Sequence, residues 1–214
     1  RKWSYAKASI KWGSPRWSIS KGNNNLAMNK MWPFILCIFL ITACGMDLSG
    51  RPPFEEMTFS PDYTNISMPD SRTWNVTYEY STDTPFTGVV RHVSLWYDSA
   101  APFMSHDVLV TTGDFASQEA VATTVFAHKF FYHWDGAPPS GSINLLHIVP
   151  LNAEIFEQLT QISKWNHVTI SGREILKIDL FDNDGSYLGF MTDMGCNTIL
   201  VKSVTINAEG TPIP

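Results

Sequence analysis

Residues 31–41 form an apolar run with no charge: Met31, Trp32, Pro33, Phe34, Ile35, Leu36, Cys37, Ile38, Phe39, Leu40 and Ile41. This run decides which parts of the chain can share a core. A helix crossing bilayer hydrocarbon takes roughly 17–25 apolar residues, so the run is too short to span. It has an ordinary length for the centre of a secretory signal, and Met28, Asn29 and Lys30 supply a short positive start. It also divides two electrically different segments. Arg1, Lys2, Lys7, Lys11, Arg16, Lys21 and Lys30 are seven of the 15 basic residues, and no acid stands among them. Beyond Cys44 the remaining eight bases face 20 acids, a balance of −12. A body that acidic repels phosphate backbones, which argues against nucleic acid as a partner.

Directly behind the run stand Ile41, Thr42, Ala43 and Cys44. This order resembles the lipobox of bacterial lipoproteins, an aliphatic residue and two small ones ahead of a cysteine. The resemblance implies cleavage between Ala43 and Cys44, with acylation of the Cys44 thiol and of the new amino terminus. Two or more acyl chains anchor a protein stably, at about 0.8 kcal/mol per buried CH₂. Gly45 follows the cysteine where an Asp would favour the inner membrane. In a host with two membranes this implies the outer one, facing the periplasm. Residues 28–43 are then the signal peptide. Residues 1–27, ahead of Met28, are read as an upstream extension outside the native protein. With Cys37 removed and Cys44 acylated, Cys196 is the one cysteine left, so neither a disulfide framework nor a multi-thiolate metal site is expected.

Residues 44–72 read as a flexible tether, punctuated by Pro52, Pro53, Pro61 and Pro69, with Phe54, Met57, Phe59 and Tyr63 able to pack onto the domain behind it. Residues 73–206 read as one compact domain, and 207–214 as a frayed tail. Alternation predicts strands over 73–80, 89–97, 107–112, 130–134, 143–149, 187–191 and 198–206. Residues 117–128 are ambiguous, mixing alanines with the β-branched Thr123, Thr124 and Val125. Asn152 is a good N-cap for a helix over 153–163, with Ile155, Phe156, Leu159 and Ile162 on one face. Residues 167–171 and 173–180 read as one long strand bent at Gly172. The fold expected is α+β and mostly β, a small antiparallel barrel or sandwich with one clear helix and an OB-like C-terminal half.

Few residues form a chemical constellation. His128, His133 and His147 lie close in sequence. His133 and His147 with Asp107 are the candidates for a His/Asp catalytic site, although no helical pair spacing supports a metal, and none is expected. Asp182, Asp184 and Gly185 hint at a calcium loop, but Leu180 and Met191 fall where its first and twelfth ligands belong. A polar turn is the better reading. Trp96, Tyr132 and Trp134 are candidates for stacking on a sugar or peptide. If 130–134 is a strand, Phe131 and His133 point opposite to Tyr132 and Trp134.

The order Thr112-Gly113-Asp114, Phe131-Tyr132-His133-Trp134, Asn144 with His147 and Pro150, 168–172 and Gly195-Cys196 resembles a group of uncharacterised bacterial membrane-associated proteins. Asn144 stands one place further from His147 than in that pattern, and the group's polar residues before the late cysteine are absent from 189–194. The resemblance implies fold and envelope location only. These readings lead to a lipid-anchored envelope domain that is a non-enzymatic binding or assembly module, with no cofactor. Its partners would be the membrane, through lipid, and an envelope protein or cell-wall glycan. The alternatives are an envelope hydrolase using a His/Asp site and a carbohydrate or peptidoglycan binder using exposed aromatics.

Overall fold

The computed structural model describes residues 54–96, 101–192 and 195–207, together with the backbone pairing of 3–4 and 11–12. Cys44, Ala43 and the apolar run lie outside the described residues. The strands are β1 (Trp3–Ser4), β2 (Lys11–Trp12), β3 (Thr58–Phe59), β4 (Asn65–Ser67), β5 (Thr73–Tyr78), β6 (Thr84–Leu95), β7 (His106–Thr111), β8 (Val121–Phe126), β9 (Lys129–Trp134), β10 (Ile143–Pro150), β11 (His167–Phe181), β12 (Tyr187–Thr192) and β13 (Asn197–Asn207). Among the described residues one α-helix, α1 (Ala153–Thr160), lies between β10 and β11. The fold is therefore α+β and mostly β. The ambiguous segment 117–128 yields β8, where Thr123, Thr124 and Val125 favour the pleated surface.

Five strands close on themselves in the order β6-β7-β10-β13-β11-β6. All pairings in the ring are antiparallel except β10 with β13, which is parallel. Parallel strands need a long crossover, and here α1, β11 and β12 intervene. A helix between the third and fourth strands, with the third and fifth parallel, is the connectivity of an OB-like Greek-key barrel. The ring starts at β6 and so takes in more than the C-terminal half. Pairing of β6 with β11 is non-local: the Thr87 and Thr169 hydroxyls meet at 3.0 Å across 82 residues.

β11 makes closure possible. Its first part pairs β6 on one side and β13 on the other, whereas its second part pairs β5 and β12. The bend falls at Gly172, where the register to β13 slips between Ser171 and Gly172. A side chain at Gly172 would collide with the Leu200 carbonyl, so only glycine lets β13 come this close.

The barrel interior contains Val90, Val108, Val110, Leu146, Ile148, Val168, Ile170, Ile199 and Val201. Helix α1 plugs one end with Ile155 and Leu159, and Ile162 just beyond it joins them. Asn152 caps the helix, its side-chain oxygen accepting from the Ile155 N–H at 3.0 Å. A second core gathers Trp74, Ile178, Met191, Phe103 and Trp96 beside β5 and the far part of β11. Met57, Ile66 and Met68 are buried in it too, and β3 and β4 extend the sheet beyond β5. Residues 54–72, expected as the end of a tether, thus belong to the folded body. Their apolar residues are scattered among prolines and acids and show no period. Finally, the β8–β9 hairpin packs Phe130 onto Leu109, Leu145 and Cys196. Because Val108, Val110, Leu146 and Ile148 point inward, the alternate residues on β7 and β10 face this hairpin.

Candidate functional site

Asp107 on β7 and His147 on β10 are direct cross-strand partners on that hairpin-covered face. Both are sealed from solvent, with Asp107 at 2% and His147 at 0% exposure. His147 Nδ1 lies 2.6 Å from Asp107 Oδ1. His128 Nδ1 lies 2.7 Å from Oδ2 of the same carboxylate. A carboxylate only accepts, so each imidazole presents an Nδ1–H to Asp107. Charge-assisted contacts this short are among the stronger hydrogen bonds. Trp96 closes the cluster, its ring 3.8 Å from His128 and edge-on to His147 at 5.3 Å between centroids.

His128 reaches Asp107 from the turn joining β8 and β9. Phe126 pairs with Lys129, so Ala127 and His128 are the two turn residues. Their φ angles are 48° and 58°. A tight hairpin turn with both central residues at positive φ normally takes Asn and Gly. Left-handed backbone costs roughly 1–2 kcal/mol at a residue with a side chain. The docking of His128 on Asp107 and Trp96 opposes that cost and fixes the hairpin tip on the barrel. The Cys196 thiol lies 3.8 Å from the His128 carbonyl and is buried beside Phe130 and Leu145.

Asp107 and His147 meet as expected, but the third member is His128 and not His133. His133 Nε2 lies 3.6 Å from an Asp135 oxygen. The cause is strand alternation. Phe130 packs on the barrel side and Tyr132 joins it there, so His133 points to the opposite face of the hairpin. His128 stands in the sequence cluster of three histidines, but its place in a tight turn was not legible, because an Ala-His turn breaks the usual turn chemistry. Of the aromatic candidates, Trp96 is 4% exposed and offers no open ring. Tyr132 stacks on Phe130 and on Trp134 at 6.3 and 5.6 Å and meets Phe115 edge-on. Tyr132 and Trp134 are half-buried.

Buried His147 Nε2 has no hydrogen-bond partner among the described residues. Among those residues no group of three or more His, Cys, Asp or Glu is arranged to hold a metal ion. The segment around Asp182 and Gly185 is a β11–β12 turn, in which the Gly185 N–H donates to the Asp182 carbonyl at 2.9 Å. No described helix is long and apolar enough to cross a membrane. No family model matches the chain, and no curated protein matches it at a significant level.

Proposed function

We propose that this chain is a lipoprotein of the cell envelope, anchored by acyl chains on Cys44, whose OB-like barrel serves as a non-enzymatic binding or assembly module. The observation that carries the proposal is the order of Ile41, Thr42, Ala43 and Cys44 directly behind an uncharged run and ahead of an acidic body. Supporting it, the cluster around buried Asp107 has the chemistry of a clasp. Both oxygens of Asp107 hold histidines, and His147 is enclosed by protein. In a host with two membranes the body would face the periplasm from the outer membrane. Its partner is an envelope protein or a cell-wall glycan.

Mass spectrometry of protein extracted from bacterial envelopes tests the anchor. The expected amino-terminal peptide begins at Cys44 and carries a diacylglyceryl group and an N-acyl chain. Cys44→Ser should leave the leader attached and remove the protein from the acylated fraction. Native protein with its leader in place, or with a bare Cys44 thiol, would refute the proposal.

One contact favours a second reading, an envelope hydrolase. Asp107 orients His147 as an acid orients a catalytic base, and its Nε2 has no partner among the described residues. This reading requires the hairpin to open. It predicts ester, amide or glycan hydrolysis by the purified protein that His147→Gln abolishes, and activity unaffected by that change would remove it.

A further inference from the structure

The outer side of β6 holds a second polar site. The β6–β7 register slips between Val90 and His92, which makes Arg91 the extra residue of a β-bulge. Bulges re-aim side chains and are common beside functional sites. Here the consecutive residues Arg91 and His92 line a groove of about 280 Å³ whose other polar walls are Thr123, Thr124 and Lys164. Among the described residues no acid lines this groove, in a body whose overall balance is strongly negative.

Arg91 is only 4% exposed, yet it makes no ion pair with a carboxylate among the described residues. Its terminal nitrogens donate to the carbonyls of Phe115 and Val121, and its Nε–H has no partner among those residues. The Trp165 ring covers the guanidinium at 4.9 Å and holds the Lys164 ammonium at the same distance. Trp165 has φ 77°, a left-handed conformation that is rare for a bulky residue. Its N–H donates to the Val90 carbonyl at 2.7 Å, and the Val90 N–H donates to the Asn166 carbonyl at 2.9 Å, so the strained segment is pinned to the bulge. Burial holds the ionisation of both Arg91 and His92 below their ordinary values. The acid that acts on His92 is Asp107, whose two oxygens are already occupied by His128 and His147. A buried cation without a counter-charge is unfavourable until an anion arrives.

We propose that this groove binds a phosphoryl group, as a phosphate monoester or diester, through Lys164 Nζ and the Thr123 hydroxyl, with His92 alongside and the buried Arg91 guanidinium as the uncompensated charge behind them. A planar carboxylate is best clasped by paired donors of one guanidinium. That fork is spent on Phe115 and Val121. The remaining donors come from separate elements, β6, β8 and the segment after α1, and such a spread suits a tetrahedral oxyanion. Long-range repulsion from the acidic body admits a single small anion and disfavours a polyanion. The proposal stands whether or not Cys44 is acylated.

Thermal unfolding of the purified full chain in non-ionic detergent, followed by tryptophan fluorescence, tests it. Inorganic phosphate and micelles doped with phosphatidylglycerol are the two probes; sodium acetate at equal ionic strength and phosphatidylcholine micelles are their controls. At about a hundredfold excess over Kd, a bound probe raises Tm by roughly 5–10 °C. A rise with phosphate alone supports a soluble ester, a rise with phosphatidylglycerol alone supports a lipid headgroup, and a rise with both supports the shared phosphoryl group. Lys164→Glu changes an exposed residue, so it leaves the fold in place and should weaken binding about tenfold or more. Thr123→Val should weaken it less. No rise with either probe, an equal rise with the controls, or an unchanged response in Lys164→Glu would overturn the proposal.

Discussion

Asp107 shows how much can depend on one buried carboxylate. Two histidines from two elements donate to it, at 2.6 and 2.7 Å, across 40 and 21 residues of chain. Replacing it by Ala leaves the sealed Nδ1 of His147 and the partly exposed Nδ1 of His128 without their acceptor and should destabilise the body by about 2–5 kcal/mol. His128→Ala removes one arm only, from a partly exposed ring, and should cost about 1–3 kcal/mol. Urea unfolding of both variants checks the order, and an equal loss in the two would mean that the second histidine contributes nothing. Asp62 makes a different kind of contribution. It accepts from the Ser60 hydroxyl and from the backbone and hydroxyl of Thr64, which lower its pKa to about 2. A depressed carboxyl pKa stabilises the fold above the ordinary carboxylate range, and that stabilisation is lost as pH falls from about 4 toward 2. Asp62→Asn should therefore flatten the fall of Tm over this window. An unchanged slope would show that Asp62 does not contribute there.

The β8–β9 hairpin and β11 are elements in which local preference and tertiary demand meet. The hairpin turn uses Ala127 at φ 48°, where glycine has no steric penalty. Ala127→Gly keeps His128 and its contact with Asp107, so it should stabilise the protein by about 1 kcal/mol. Chemical denaturation would show this as a higher midpoint with an unchanged slope, and a lower midpoint would mean that the turn is not strained as described. At Gly172 the reverse holds. A methyl group there meets the Leu200 backbone, which cannot withdraw without opening the β11–β13 ladder. Gly172→Ala should destabilise by about 3 kcal/mol or more, well beyond the roughly 1 kcal/mol scale of strand propensity. Circular dichroism melting checks this, and a Tm shift of only a degree or two would refute the close approach.

At the scale of the whole molecule, the ring β6-β7-β10-β13-β11 leaves none of its own strands as an open edge. The extent to which it was legible depends on the range of each interaction. While it left β8 ambiguous and gave no sign of β3 and β4, the amino-acid order by itself determined most strands from β5 onward, the helix capped by Asn152 and the bend at Gly172. Each of these rests on a pattern within a few residues: alternation, an N-cap, or a glycine inside a strand. It also determined the uncharged run and the lipobox-like order ending in Cys44, which are chemical facts of composition. Only tertiary structure decided that residues 54–72 join the core, that β10 and β13 run parallel, and that His128 takes the place beside Asp107 proposed for His133. It alone exposed Arg91 as a buried cation on a bulge. Those outcomes depend on strand register and ring closure, in which residues tens of positions apart are set opposite one another. A shift of one residue in such a pairing reverses every side chain on the strand, and no local periodicity encodes that choice.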